Sequence, residues 1–272
     1  MAILINPDGA RHWRLLTPGQ QRWRWMAWLA LVALTVFCWR IMTADTIWAF
    51  VSDAPRQAQD IFGRMLPPRW VYINQLWKAI WDTINIATLG TLIAIVLATP
   101  LAFLAARNTT PSALFIRPVA LFIIVASRSI NALIWGLLLV AVLGPGVLAG
   151  IIAIALRSIG FIGKLLYEAI EEIDETQVEA IRATGAGQAQ VMSYGIWPQI
   201  LPAFATISVF RWDINIREST VLGLVGAGGL GLALEGSLNT LAWPQVSLIL
   251  LIILVTVVIS EWITAKVRKI II

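Results

Sequence analysis

An all-α transmembrane fold of about six spanning helices is predicted, and three observations predict it. Of the 272 residues, 59% are hydrophobic and 13% are charged, about half the charged share of a soluble globular domain. The apolar residues come in runs of about 20, the length that crosses a hydrocarbon core. The basic residues behind the net charge of +5 collect at the ends of those runs. That is the pattern of the positive-inside rule, not the basic stripe of a protein that binds nucleic acid. Cys38 is the single cysteine and lies inside an apolar run, and His12 is the single histidine. Neither a disulfide nor a metal site is expected within one chain.

Residues 1–24 are too polar for a cleaved signal and form a cytoplasmic N-terminal segment, followed by a membrane domain over 25–272. The runs place spans at Trp25–Met42, Ile80–Ala106, Leu114–Leu143, Val147–Ile170, Pro198–Leu224 and Val246–Thr264. Residues 43–77 are an external segment, interrupted by Pro55, Pro67 and Pro68, in which Trp48, Trp70 and Trp77 suit the headgroup layer. Gly144-Pro145-Gly146 makes a tight external turn. Arg11, Arg14, Arg22 and Arg24, then Arg107 and Arg117, Lys164 and Arg182, and Lys266, Arg268 and Lys269 fall on one side. Arg40, Arg56, Arg64, Arg69 and Lys78 fall on the other. This asymmetry puts both termini in the cytoplasm.

Residues 171–197 are the informative connection, acidic where the other internal connections are basic. Asp174 and Thr176 are candidate N-caps of a short amphipathic helix, and Gly185 supplies the positive φ that stops it. A second helix over Gln188–Ile196 is expected to end at Pro198. The segment resembles the EAA loop of type I ABC importer permeases: Glu179 and Ala180, Gly185 six residues after the glutamate, and Pro198 nineteen after it. It departs from the family pattern at Ile181 and Trp197. Two further stretches, Arg128-Ser129-Ile130-Asn131 and the run from Arg211 through Arg217, Glu218, Ser219 and Thr220 to Gly231, look like the phosphonate and phosphite branch of that family.

The resemblance implies a homodimer in the bacterial inner membrane, with the pathway between protomers. It also implies two ATPase subunits docked on the cytoplasmic loops and a periplasmic binding protein that delivers a phosphorus oxyanion. Glu179, Ala180, Gly185 and Pro198 would couple the chain to the ATPase. Arg128, Ser129, Asn131, Arg211, Arg217, Glu218 and Ser219 would line the substrate pathway. ATP and magnesium would belong to the partner subunit, because this chain has no Walker A lysine motif.

Read for their own chemistry, Arg128, Arg157, Arg211, Asp213, Arg217 and Glu218 are charges at membrane depth. Each costs about 2.5–3.5 kcal/mol to insert, so they pair or line a wet path. Guanidinium forks suit oxyanions. Structural pairing, Arg211 with Asp213, Arg217 with Glu218 or across helices, is the competing expectation. Counted from Pro198, Arg217 lies about 28 Å along the helix, near its external end, which makes it the first choice for an anion attractor. Gly226 to Gly231 spells G-x-G-x-x-G without a βαβ unit around it, so a close turn or re-entrant segment is expected instead of a dinucleotide site. The alternative to an ATP-driven importer is an ion-coupled carrier using Asp82, Asp213 and Glu218. An intramembrane serine enzyme built on Ser127, Ser129 or Ser219 lacks a histidine partner.

Overall fold

The computed structural model describes residues 2–5, 11–14, 16 and 18–271. Two compact units are distinguished, Met1–Asp60 and Ile61–Ile272. In the first, strands β1 (Ala2–Ile5) and β2 (Arg11–Arg14) pair antiparallel; residues 6–10 of the N-terminal segment expected over 1–24 lie outside the described residues. Helix α1 (Pro18–Thr43) starts ahead of the predicted Trp25, because Gln20, Gln21 and Arg22 are good helix formers. Its apolar window buries nothing, as befits a span whose solvent is lipid. Helix α2 (Trp48–Met65) places Trp48, Val51, Ala54, Ala58, Phe62 and Met65 at helical spacing, with Asp53, Arg56, Asp60 and Arg64 between them, an amphipathic pattern.

The second unit holds the rest of the helices. A 3-10 turn (Trp70–Tyr72) leads into α3 (Ile73–Ala105), which also begins before the predicted Ile80. Its buried side is a seam of small residues, among them Ala87, Gly90, Ala94, Ala98 and Ala102. The seam packs on α6 (Val147–Glu171), which buries Gly150, Ala153, Gly160 and Gly163. Lipid tails are as apolar as leucine, so helices associate in a membrane by close backbone approach. A Cβ at Gly90 would stand 2.7 Å from Ile154 Cγ2, and the helix spacing depends on its absence.

The span expected over Leu114–Leu143 is corrected to two helices, α4 (Ile116–Ser129) and α5 (Ala132–Leu143), meeting at 87°. A straight helix of that length would measure roughly 45 Å, against a hydrocarbon core of about 30 Å. Ile130 and Asn131 are extended, and Asn131 caps α5 by accepting from Leu133 N at 3.1 Å. The Ser127 hydroxyl ties the end of α4 to α6, donating to Leu156 O and accepting from Gly160 N.

After α7 (Glu175–Ala183), the short α8 (Gln188–Gln190) passes through a π turn (Val191–Ile196) directly into α9 (Trp197–Gly223). The helix expected to stop at Pro198 therefore continues into the span. Proline lacks the N–H that an α turn would use, and the π turn absorbs the mismatch: Trp197 N bonds Met192 O, five residues back. A turn over 224–228 then leads to α10 (Gly229–Asn239) and α11 (Trp243–Ile271). Helix α10 was not expected, because its glycines read as a turn. It packs on α3, α9 and α11, with Leu230 buried against Leu76 and Leu248.

Among the described residues, α1, α3, α6 and α11 are long and apolar enough to cross a bilayer, and the bent α4–α5 pair together has the length and apolarity of a fifth. With α9, of similar length but carrying four charged residues, the total agrees with about six.

Candidate functional site

The charged cluster is built at the middle of α6. Arg157 lies ten residues from Val147, about 15 Å along a helix of about 37 Å. Opposite it, Arg211 and Glu218 share a face of α9 because seven residues make nearly two turns. Glu218 pairs with both arginines: its Oε1 lies 3.4 Å from Arg157 Nη1, and its Oε2 accepts from Arg211 Nη2 at 3.0 Å. Arg157 also donates to Asn131 Oδ1 at 3.2 Å, which brings the α4–α5 bend into the cluster.

Arg211 is held on every side. Its Nε donates to Ser158 Oγ at 3.0 Å, and its guanidinium lies 5.1 Å from the centroid of the Phe161 ring. Asn215 donates to both Ser158 Oγ, at 3.1 Å, and Thr91 Oγ1, at 2.7 Å, joining α3 to the network. The side chains are graded in exposure: 2% for Arg211, 18% for Glu218 and 30% for Arg157. The opening is thus on the Arg157 side. Two guanidiniums facing one carboxylate leave the triad with one positive charge. Arg128 is exposed at the α4–α5 bend and has no carboxylate partner among the described residues. Its backbone is pressed on α6, since a Cβ at Gly160 would stand 2.7 Å from Arg128 N.

The pairings expected between close neighbours in the sequence are replaced by others. Arg217 pairs with Asp213 one turn earlier and lies 3.5 Å from Glu261 on α11, while Ser260 Oγ donates to the other Asp213 oxygen at 2.6 Å. Arg217 and Glu218 point to different neighbours because adjacent helical positions diverge by about 100°. Asn131, Arg211 and Glu218 come together with Arg157, which had been counted among the embedded charges but not assigned to the pathway. Ser219 is buried and donates to Ile216 O of its own helix, and Ser129 likewise bonds Val125 O. Ser158, Asn215 and Thr91 carried no signal in the sequence beyond being polar in apolar runs.

The hairpin over 171–197 follows its local code. Asp174 caps α7 by accepting from Thr176 N at 2.9 Å, and Gly185 has φ +82. Val178 is buried against the π turn while Glu179, Ala180, Gly185 and Pro198 are exposed. Gln199, which nothing in the sequence singled out, ties the hairpin to α9: its Oε1 accepts from Asp174 N and its Nε2 donates to Gly195 O. A cleft of about 380 Å³ separates the hairpin from residues 108–111 and is lined by Asn108, Thr109, Arg182, Gln188 and Met192.

Beyond the C-terminal end of α9, Gly226, Gly228 and Gly229 all have positive φ, and Gly146 N bonds Gly226 O at 3.0 Å. The glycine-rich run is therefore a turn that meets the Gly144-Pro145-Gly146 turn. Thr83 Oγ1 accepts from Leu230 N at 2.8 Å and so caps α10 from α3. No cluster of metal-ligating residues occurs among the described residues.

A bundle of apolar helices with a polar cluster among them and an exposed polar hairpin at one end suits a membrane transport subunit. The chain belongs to the family described as the binding-protein-dependent transport system inner membrane component, matched over residues 98–269. It is 38% identical to the phosphite transport system permease protein PtxC of Stutzerimonas stutzeri, over 91% of this chain and 90% of that one. It is also 38% identical to the phosphate-import permease protein PhnE of Mycolicibacterium smegmatis, over 88% of this chain and 44% of that longer protein. The inward-facing structure of the MetNI methionine ABC transporter superposes with a TM-score of 0.62 at 20% identity, covering 72% of this chain and 96% of that one. A bacterial ABC transporter for alginate gives 0.56 at 16% identity, covering 90% and 99%. The fold is that of type I ABC importer permeases. The chain is a membrane permease subunit and not an enzyme, which sets aside both the ion-coupled carrier and the serine enzyme.

Proposed function

We propose that this chain is the permease subunit of an ATP-driven importer for phosphite, phosphonate or a related phosphorus oxyanion. The observation that carries the reading is the pair of guanidiniums, Arg157 and Arg211, that meet on Glu218. Such a cluster at membrane depth attracts anions and offsets part of the cost of stripping their water, and guanidinium forks match oxyanion geometry. The names of the relatives agree with that chemistry. In this reading Arg217 and Ser219 flank the pathway and Ser129 and Asn131 shape the bend within it.

Two copies of the chain form the membrane domain, with both termini in the cytoplasm of a bacterial cell. Two ATPase subunits, which bind ATP and magnesium, receive the hairpins through Glu179, Ala180 and Gly185, and a periplasmic binding protein delivers the substrate. The permease then alternates between inward-open and outward-open states, biased by ATP binding through the docked hairpins.

Uptake of phosphite, methylphosphonate and phosphate in cells carrying the permease, its ATPase and its binding protein tests the reading. At least one compound accumulates in an ATP-dependent manner, and Arg157→Gln lowers that uptake about tenfold or more without loss of protein from the membrane. Equal uptake by the variant and the parent would remove the cluster from the pathway.

A further inference from the structure

We propose that Glu218 is a resident stand-in for the transported anion: its carboxylate occupies the oxyanion position between Arg157 and Arg211, and substrate passes by displacing it. The inference deepens the oxyanion reading given above and rests on it. The geometry is that of a bound anion. One oxygen faces each guanidinium, at 3.4 Å and 3.0 Å.

The two arginines are held independently of the glutamate, so the position survives its departure. Arg211 keeps its bond to Ser158 and its place over Phe161, and Arg157 keeps Asn131. Left vacant, the position would hold two like charges at membrane depth with nothing between them, which a low-dielectric interior penalises steeply. Something anionic must therefore occupy it at every stage, and a tethered carboxylate meets that need between transport events. The graded exposure sets the route. The glutamate and Arg157 border the open side while Arg211 forms the closed wall, so an arriving oxyanion meets the more exposed arginine first.

The charge count sets the consequence for turnover. With the glutamate in place the triad carries one positive charge, enough to attract a monoanion. The displaced carboxylate then competes for the same arginines and speeds release, which a transport site requires of its ligand.

The test is binding of phosphite, methylphosphonate, phosphate and sulfate to the purified permease–ATPase complex in nanodiscs, in the absence of binding protein. Glu218→Gln should bind at least one of these about tenfold more tightly than the parent, while ATP-driven turnover falls. The added Arg157→Gln change should abolish the gain. A glutamate that serves only as a structural counter-ion predicts no gain for any anion, and that result overturns the proposal. If Glu218→Gln does not assemble, the parent protein decides the matter: saturating oxyanion should raise carbodiimide labelling of Glu218 several-fold with Glu261 as internal reference, and labelling that no anion changes overturns the displacement. Failure of the phosphorus reading looks different. Glu218→Gln would then gain affinity for sulfate alone, and no phosphorus compound would be taken up.

Discussion

Arg217 and Arg211 sit on one helix and do different work because of where each side chain ends. Arg211 is enclosed by Ser158, Phe161 and Glu218; Arg217 neutralises Asp213, whose side chain is 5% exposed, and reaches Glu261. Removing one partner of a fully buried pair costs about 3–5 kcal/mol, and the 47% exposure of Arg217 lessens that by solvent screening. Arg217→Gln is therefore expected to lower the yield of folded complex on fluorescence-detected size exclusion, whereas Arg217→Lys keeps the charge and most of the yield. A Gln variant that folds normally but fails in uptake would make Arg217 an anion attractor in the pathway it flanks, not a structural partner of Asp213. The local roles of Asp174 and Gly185 were legible, since a cap and a stop are written within a few residues. The partners of the arginines were not, because an ion pair is chosen by helices far apart in sequence.

At the scale of the element, the hairpin of α7 and α8 is tied together and runs on into α9. Gly195 lets the two limbs touch, as a Cβ there would stand 3.3 Å from Ile181 Cδ1. The clamp by Gln199 and the unbroken path from the π turn into α9 mean that a push on Glu179 or Ala180 is delivered to the helix carrying Arg211 and Glu218. Glu179→Lys reverses charge on the exposed surface. Gly185→Asp strains a φ of +82, at a cost of about 1–2 kcal/mol, too little to unfold the chain. Both variants should reach the membrane in normal amount yet lose most substrate-stimulated ATP hydrolysis by the assembled complex; normal stimulation in either would detach that residue from coupling. The hairpin was readable from its polarity and caps. Its continuity through Pro198 was not, because proline signals a missing hydrogen bond but not whether a π turn will bridge the gap.

For the whole molecule, the asymmetry of Lys and Arg sets a topology that labelling can check. On a Cys38→Ser background, Gly187→Cys should react with an impermeant maleimide only when the cytoplasmic side is open, and Ala58→Cys only from outside; reversed sidedness would overturn the orientation and with it the docking of the hairpin on an ATPase. The sequence by itself determined the solvent, the number of crossings to within about one, and the position of the polar hairpin along the chain. Apolar length, end charges and caps are properties of contiguous residues. Only the tertiary structure decided the 87° bend at Asn131, the existence of α10, and the gathering of Arg157, Arg211 and Glu218 around one carboxylate position. Each of these depends on what lies across a helix interface: Gly160 admitting the end of α4, Thr83 capping α10, and Ser158 fixing Arg211. In lipid, where apolar surface gains little by choosing one apolar neighbour over another, such polar and close-packed contacts between distant segments fix which faces meet, and no periodicity along the chain encodes them.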